Sequence, residues 1–121
     1  MAAGYYEYSP LLFETAGLTW DGPNVHELQQ QVFPDFHHHT DLVESGRFVD
    51  FLPTAAADAF SVRGTAAEVA AQLVDVLSLG VTFDIVVMQP VPNPPPPGGS
   101  IPDFMERMAR EVLPAVRARL A

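Results

Sequence analysis

Cysteine is absent from the 121 residues. That excludes a disulfide framework, a thiolate metal site and a cysteine nucleophile, and it leaves the redox compartment open. Lysine is absent too: the six cationic residues are all arginines, spread along the chain. Binding to phosphate backbones needs clustered Lys and Arg, so a net charge of −9 argues against a nucleic-acid surface. No apolar run approaches the ~20 residues needed to span a bilayer. The opening MAAGYYEYSP has neither the positive region nor the apolar core of a signal peptide. The expectation is a soluble cytoplasmic protein, with no nucleic-acid and no membrane partner. The Ala-, Val-, Asp- and Arg-rich composition without Lys suggests a GC-rich bacterial genome. GxSxG, P-loop, GxGxxG and HExxH patterns are missing as well, so no catalytic motif is on offer.

What is present reads best from Phe60 to Met88, FSVRGTAAEVAAQLVDVLSLGVTFDIVVM. Phe60-Ser61-Val62 favours a β conformation and ends at the turn residue Gly64. Thr65 with Glu68 three residues on forms a capping box. Val69, Leu73, Val76 and Leu77 then recur at helical spacing, and Gly80 suits the helix stop. Val81 to Met88 is an apolar run without alternation, as in strands covered on both faces. The pattern predicts a βαβ unit with parallel strands and a right-handed crossover.

The flanks read as helices. Ser9-Pro10 starts one that Gly17 stops, and Asn24 caps another through Val25, Leu28 and Val32 until Pro34. Tyr5, Tyr6 and Tyr8 fit a short strand or a frayed start. Phe36, Thr40 and Val43 mark the next helical stripe, and Phe48 to Leu52 a short strand or apolar loop. Six of the eleven residues in QPVPNPPPPGG, Gln89 to Gly99, are proline, which predicts a polyproline-like loop. Ser100 caps a last helix whose buried side runs from Ile101 and Phe104 through Met108, Val112 and Val116 to Leu120. Pro114 removes an amide there and predicts a kink. Residues 1–59 are thus a mainly helical lead-in, and 60–121 run strand, helix, strand, helix, in a single domain or a fragment. The expected fold class is α/β. Two strands cannot build a covered sheet, so the chain would find the rest in a second copy or in a missing portion.

Three features carry candidate chemistry. Adjacent side chains on a helix point about 100° apart, so His37, His38 and His39 cannot converge on one ion, and they read as a polar face. Arg63-Gly64-Thr65 puts a helix N-terminus at the end of a strand, a geometry that favours anions; it is also an ordinary tight turn with a good cap. Gln89, Gly98, Gly99 and Ser100 either line a pocket mouth or form a surface loop.

The stretch FSVRGTAAEVAAQLVDVLSLGVTFDIVVMQPVP, with GGSIPDFMERMAREVLPAVR after it, resembles the C-terminal end of the luciferase-like flavin- or deazaflavin (F420)-dependent oxidoreductases. GLTWDGPNVHELQQQVFPDF and GRFVDFLP are similar to the preceding segment in that family. The resemblance implies the C-terminal portion of a (β/α)8 TIM-barrel-type fold, an incomplete barrel with Phe60–Val62 as strand seven and Val81–Met88 as strand eight. It implies FMN or F420 as cofactor and monooxygenation or hydride transfer as chemistry. It places Arg63, Gly64, Thr65, Gln89, Gly98, Gly99 and Ser100 around the cofactor. The family's early and middle strands have no counterpart here, so the chain is expected to be inactive alone: a C-terminal part, a truncated relative or a remnant. The other expectation is a small acidic, non-enzymatic α/β module that self-associates through strand edges.

Overall fold

A computed structural model describes residues 1–39, 41–90 and 100–121. The described residues hold helices and no β-strand. They fall into two compact units, Met1–Ser61 and Val62–Ala121. No helix among them is long and apolar enough to cross a membrane.

The first unit holds α1 (Ala2–Tyr8), α2 (Pro10–Thr15), α3 (Val25–Gln29), α4 (Leu42–Arg47) and α5 (Thr54–Phe60). Such short helices are marginal by propensity and depend on caps and packing. Pro10 opens α2 at a position where its missing N–H costs nothing, and Gly17 follows that helix with φ +71°. Asn24 accepts the His26 amide to start α3, and Asp41 accepts those of Val43 and Glu44 to start α4. Ala3, Val25, Leu28, Val32 and Phe36 form the core. An aromatic cluster extends it: Trp20 stacks on Tyr6 at 4.3 Å and takes the edge of Phe51 at 5.0 Å. Its indole N–H donates to the Pro23 carbonyl at 2.7 Å, which satisfies the polar end of a ring that is otherwise apolar. A Cβ on Gly22 would overlap the Phe51 ring, so this glycine lets the ring lie on the backbone.

The second unit holds α6 (Ala66–Leu77), α7 (Ile101–Arg107), a π-helical turn over Met108–Val112 and α8 (Leu113–Leu120). Thr65 and Glu68 form the capping box reciprocally: the Glu68 amide donates to the Thr65 hydroxyl, and the Thr65 amide donates to the Glu68 carboxylate at 2.7 Å. Ala70 and Leu73 face Met108, Val112 and Val116 in the core, with Val69, Leu77, Met88 and Phe104 packed beside them. The interruption expected at Pro114 takes the form of the π turn. The Leu113 amide bonds back to Met108, one residue further than in an α-helix. The proline ring would clash with the Arg110 carbonyl in a plain α-helix, and widening the turn before it relieves that clash.

The α/β class and the barrel are therefore corrected. Phe60 begins no strand. It ends α5, where its ring stacks on Tyr5 at 4.9 Å and Phe13 at 5.3 Å. Tertiary packing and an alanine-rich helix override the local β preference of Phe-Ser-Val. Residues 81–88 are not a strand either: a strand exists only against a partner strand, and none is described. They are irregular, with a bend at Asp84, and no backbone hydrogen bond joins 81–90 to another described residue. Tyr5, Tyr6 and Tyr8 lie on α1, and 48–52 form turns. The helix at 42–47 runs past Gly46 and starts later than its stripe predicts, while residues 36–38 are a turn. Thr40 and most of the proline-rich loop, residues 91–99, lie outside the described residues.

Candidate functional site

The chemically densest place is the turn at Asp35, held against α1. The Asp35 carboxylate accepts the amides of His37 and His38, both at 2.8 Å, and the Tyr8 hydroxyl at 3.3 Å. It also accepts His38 Nδ1–H at 2.7 Å. Partial burial pushes the Asp35 carboxyl up, but the hydrogen bonds from the His38 ring and from the His38 and His37 amides outweigh it, and its pKa sits below the ordinary value. The same negative charge works the other way on Tyr8: partial desolvation first, then Asp35, raises its phenol.

His37 sits differently. Its ring lies on Gly4 of α1, where an added Cβ would overlap it. The ring is edge-on to Tyr5 at 5.0 Å and tilted against Tyr8 at 5.5 Å. Its Nε2 is 3.2 Å from the Met1 carbonyl. A carbonyl only accepts, so Nε2 carries the proton in that bond. His39 turns away onto the Asp41 backbone. The three histidines address three different partners, and no group of three metal-ligating side chains occurs among the described residues.

Chemically, Asp35 orients the His38 imidazole and leaves its other nitrogen to solvent, on a side chain 67% exposed. A carboxylate-oriented imidazole is half of a general-base device. The other half is missing: among the described residues no hydroxyl nucleophile bonds His38. The arrangement as it stands ties the 35–38 turn to α1.

The residues expected around a cofactor are placed as follows. Gly64 takes φ +126° and aims Thr65 into its capping box. The Thr65 amide and hydroxyl both donate to the Glu68 carboxylate at 2.7 Å. Gln72 holds the Arg63 backbone from both sides: its Oε1 accepts the amide at 3.2 Å, and its Nε2 donates to the carbonyl at 2.8 Å. The Arg63 and Thr65 amides and the Thr65 hydroxyl are thus bonded within the turn, and the Glu68 carboxylate lies against it. Gln89 is exposed. Ser100 is used as the cap of α7, accepting the Asp103 amide at 3.1 Å. Gly98 and Gly99 lie outside the described residues. A shallow surface depression lies along α7 and the π turn, lined by Asp103, Glu106, Arg107, Arg110 and Glu111. Its charges pair within the helix, Arg110 with Glu106 at 3.2 Å and Arg107 with Glu111 at 3.6 Å. Exposed i,i+4 pairs of this kind are common helix decoration.

No family model, no curated protein and no solved structure matches this chain. The two units differ sharply in character. Residues 1–61 hold nine of the fifteen carboxylates and one of the six arginines, a net charge of −8; residues 62–121 hold six and five, a net charge of −1. The near-neutral unit also carries the greasiest exposed stretch. Val81, Ile85 and Val87 are 59%, 81% and 80% exposed, with Phe83 and Val86 exposed beside them. Composition along the chain signals the charge partition; which side of each apolar residue stays bare is visible only once the fold is known.

Proposed function

We propose that the chain is an acidic, non-enzymatic interaction module that associates with a second copy of itself through residues 81–87. One observation carries the reading: an apolar, β-branched stretch is left exposed, with its backbone unpaired among the described residues. Free N–H and C=O groups flanked by apolar side chains form a template for strand addition. The segment is not a preformed sheet edge; its pairing would create the strand. The test is sedimentation or light scattering over a concentration range at moderate salt. The proposal expects a monomer–dimer equilibrium, and a strictly monomeric, folded chain sinks it.

A second reading is favoured by the resemblance at 60–92 and 98–117. In it the chain is the C-terminal part of a luciferase-like F420- or FMN-dependent oxidoreductase, inactive alone. The cofactor would supply the hydride chemistry. Absorbance titrations of the isolated chain with FMN and with F420 address it. This reading expects no spectral shift from the chain alone and a shift once the rest of the oxidoreductase is added. No shift in either case removes it.

A further inference from the structure

We infer that residues 81–87 of two copies pair antiparallel, in the register that sets Ile85 opposite Ile85. The inference rests on the self-association reading and specifies its geometry. VTFDIVV is seven residues of high β-propensity with one charge, no proline and no glycine, the composition of a segment that pairs with its own kind. Charge selects the occupant. The segment lies in the unit of net charge −1, so pairing through it joins the less charged unit of each copy.

Charge also selects the register. Centring on Asp84 would set two carboxylates directly opposite, an unfavourable cross-strand pair. Moving the centre by one residue sets Asp84 opposite Val86 and Phe83 opposite Val87, an aromatic–β-branched pair of the favourable kind. In a strand, residues 81, 83, 85 and 87 share one face, so this register gathers Val81, Phe83, Ile85 and Val87 of both copies on it. Met88 falls on the opposite face, the side on which it packs against the core of its own unit.

The absence of cysteine makes the register directly readable. Residues directly opposite have Cβ atoms about 4.5–5.5 Å apart, whereas diagonal neighbours are about 7–8 Å apart. A disulfide reaches only the former. The full chain carrying Ile85→Cys should therefore oxidise to a covalent dimer several-fold more completely than the chain carrying Asp84→Cys. The double variant Asp84→Cys/Val86→Cys should cross-link as well. Ile85→Lys should shift sedimentation towards monomer while leaving the helical circular dichroism at 222 nm and the thermal midpoint of the dilute monomer unchanged, because the side chain is exposed. A concentration-dependent dimer in which Asp84→Cys cross-links and Ile85→Cys does not overturns the register and leaves self-association standing. A chain that stays monomeric at its highest soluble concentration overturns both and leaves a foreign sheet edge as the occupant.

Discussion

Gly4 and Gly46 both lie in helices, and the same substitution should move stability in opposite directions at the two. Replacing a helical glycine by alanine ordinarily gains about 1 kcal/mol, because alanine loses less conformational freedom. At Gly46 of α4 a new Cβ meets nothing within 4 Å, so Gly46→Ala should stabilise by about 0.5–1 kcal/mol. At Gly4 of α1 the new Cβ overlaps the His37 ring. Either the core strains, at about 1–3 kcal/mol, or the ring leaves. Leaving gives up its contact with Tyr5, worth about 0.5–1.5 kcal/mol. It also breaks the bond to the Met1 carbonyl, worth about 1 kcal/mol. After the helical gain is subtracted, Gly4→Ala should destabilise by about 1 kcal/mol. Urea unfolding followed by Trp20, the single tryptophan, measures both variants on the unit that contains them. The double variant Gly4→Ala/His37→Ala supplies the decisive comparison. With the ring gone the methyl group fits, so adding Gly4→Ala to His37→Ala should cost nothing or stabilise. If Gly4→Ala is as stabilising as Gly46→Ala, or costs the same with and without the His37 ring, the notch has no energetic meaning.

Thr65→Ala should cost about 1 kcal/mol, the usual worth of an N-cap, read as lost helical signal at 222 nm. Its Thr65 partners, the backbone amide first and then the hydroxyl, hold the Glu68 carboxyl below its ordinary value against a small upward push from desolvation. A depressed carboxyl stabilises the fold above its unfolded pKa of about 4.3 and loses that contribution as pH falls through the lower folded value. The deficit of Thr65→Ala should therefore shrink in acid; a deficit independent of pH between 7 and 3 would contradict the box. Asp35 has the same sign, and Asp35→Asn should flatten the acid limb of the urea midpoint below about pH 4. Leu73→Ala, at a core position 6% exposed, should cost about 2–5 kcal/mol. Val76→Ala on the same helix, 40% exposed, should cost under about 1 kcal/mol in thermal melts.

The helix starts were legible because a cap is a local device. Asn24, Thr65 and Ser100 each bond an amide two or three residues away, inside the window that a sequence displays. Gly17 and Gly80 were legible for the same reason, and both take positive φ. The strands failed because pairing is not local. Val81 to Met88 has the composition of a strand whether or not a partner exists, and Phe60 was claimed by Tyr5 and Phe13, more than forty residues upstream. The site divides along the same line. The i,i+3 relation of Asp35 and His38 is visible in the sequence, and the structure joins them. The notch at Gly4 that receives His37, and the Glu68 carboxylate that fills the Arg63-Gly64-Thr65 turn, depend on where side chains go.

The π turn before Pro114 acts as a phase correction. Phe104, Met108, Val112 and Val116 recur every four residues, and on a helix of about 3.6 residues per turn each step of four overshoots by roughly 40°. Three steps would carry Val116 about 120° away from the side that Phe104 occupies. One extra residue in a single wide turn takes back most of that drift, so all four side chains stay on the core of the second unit. Proline fixes where the slip falls. Pro114→Ala removes the clash that an ordinary turn would meet, and an α-helix continued through 108–112 would then carry Val116 away from Phe104 and out of the core.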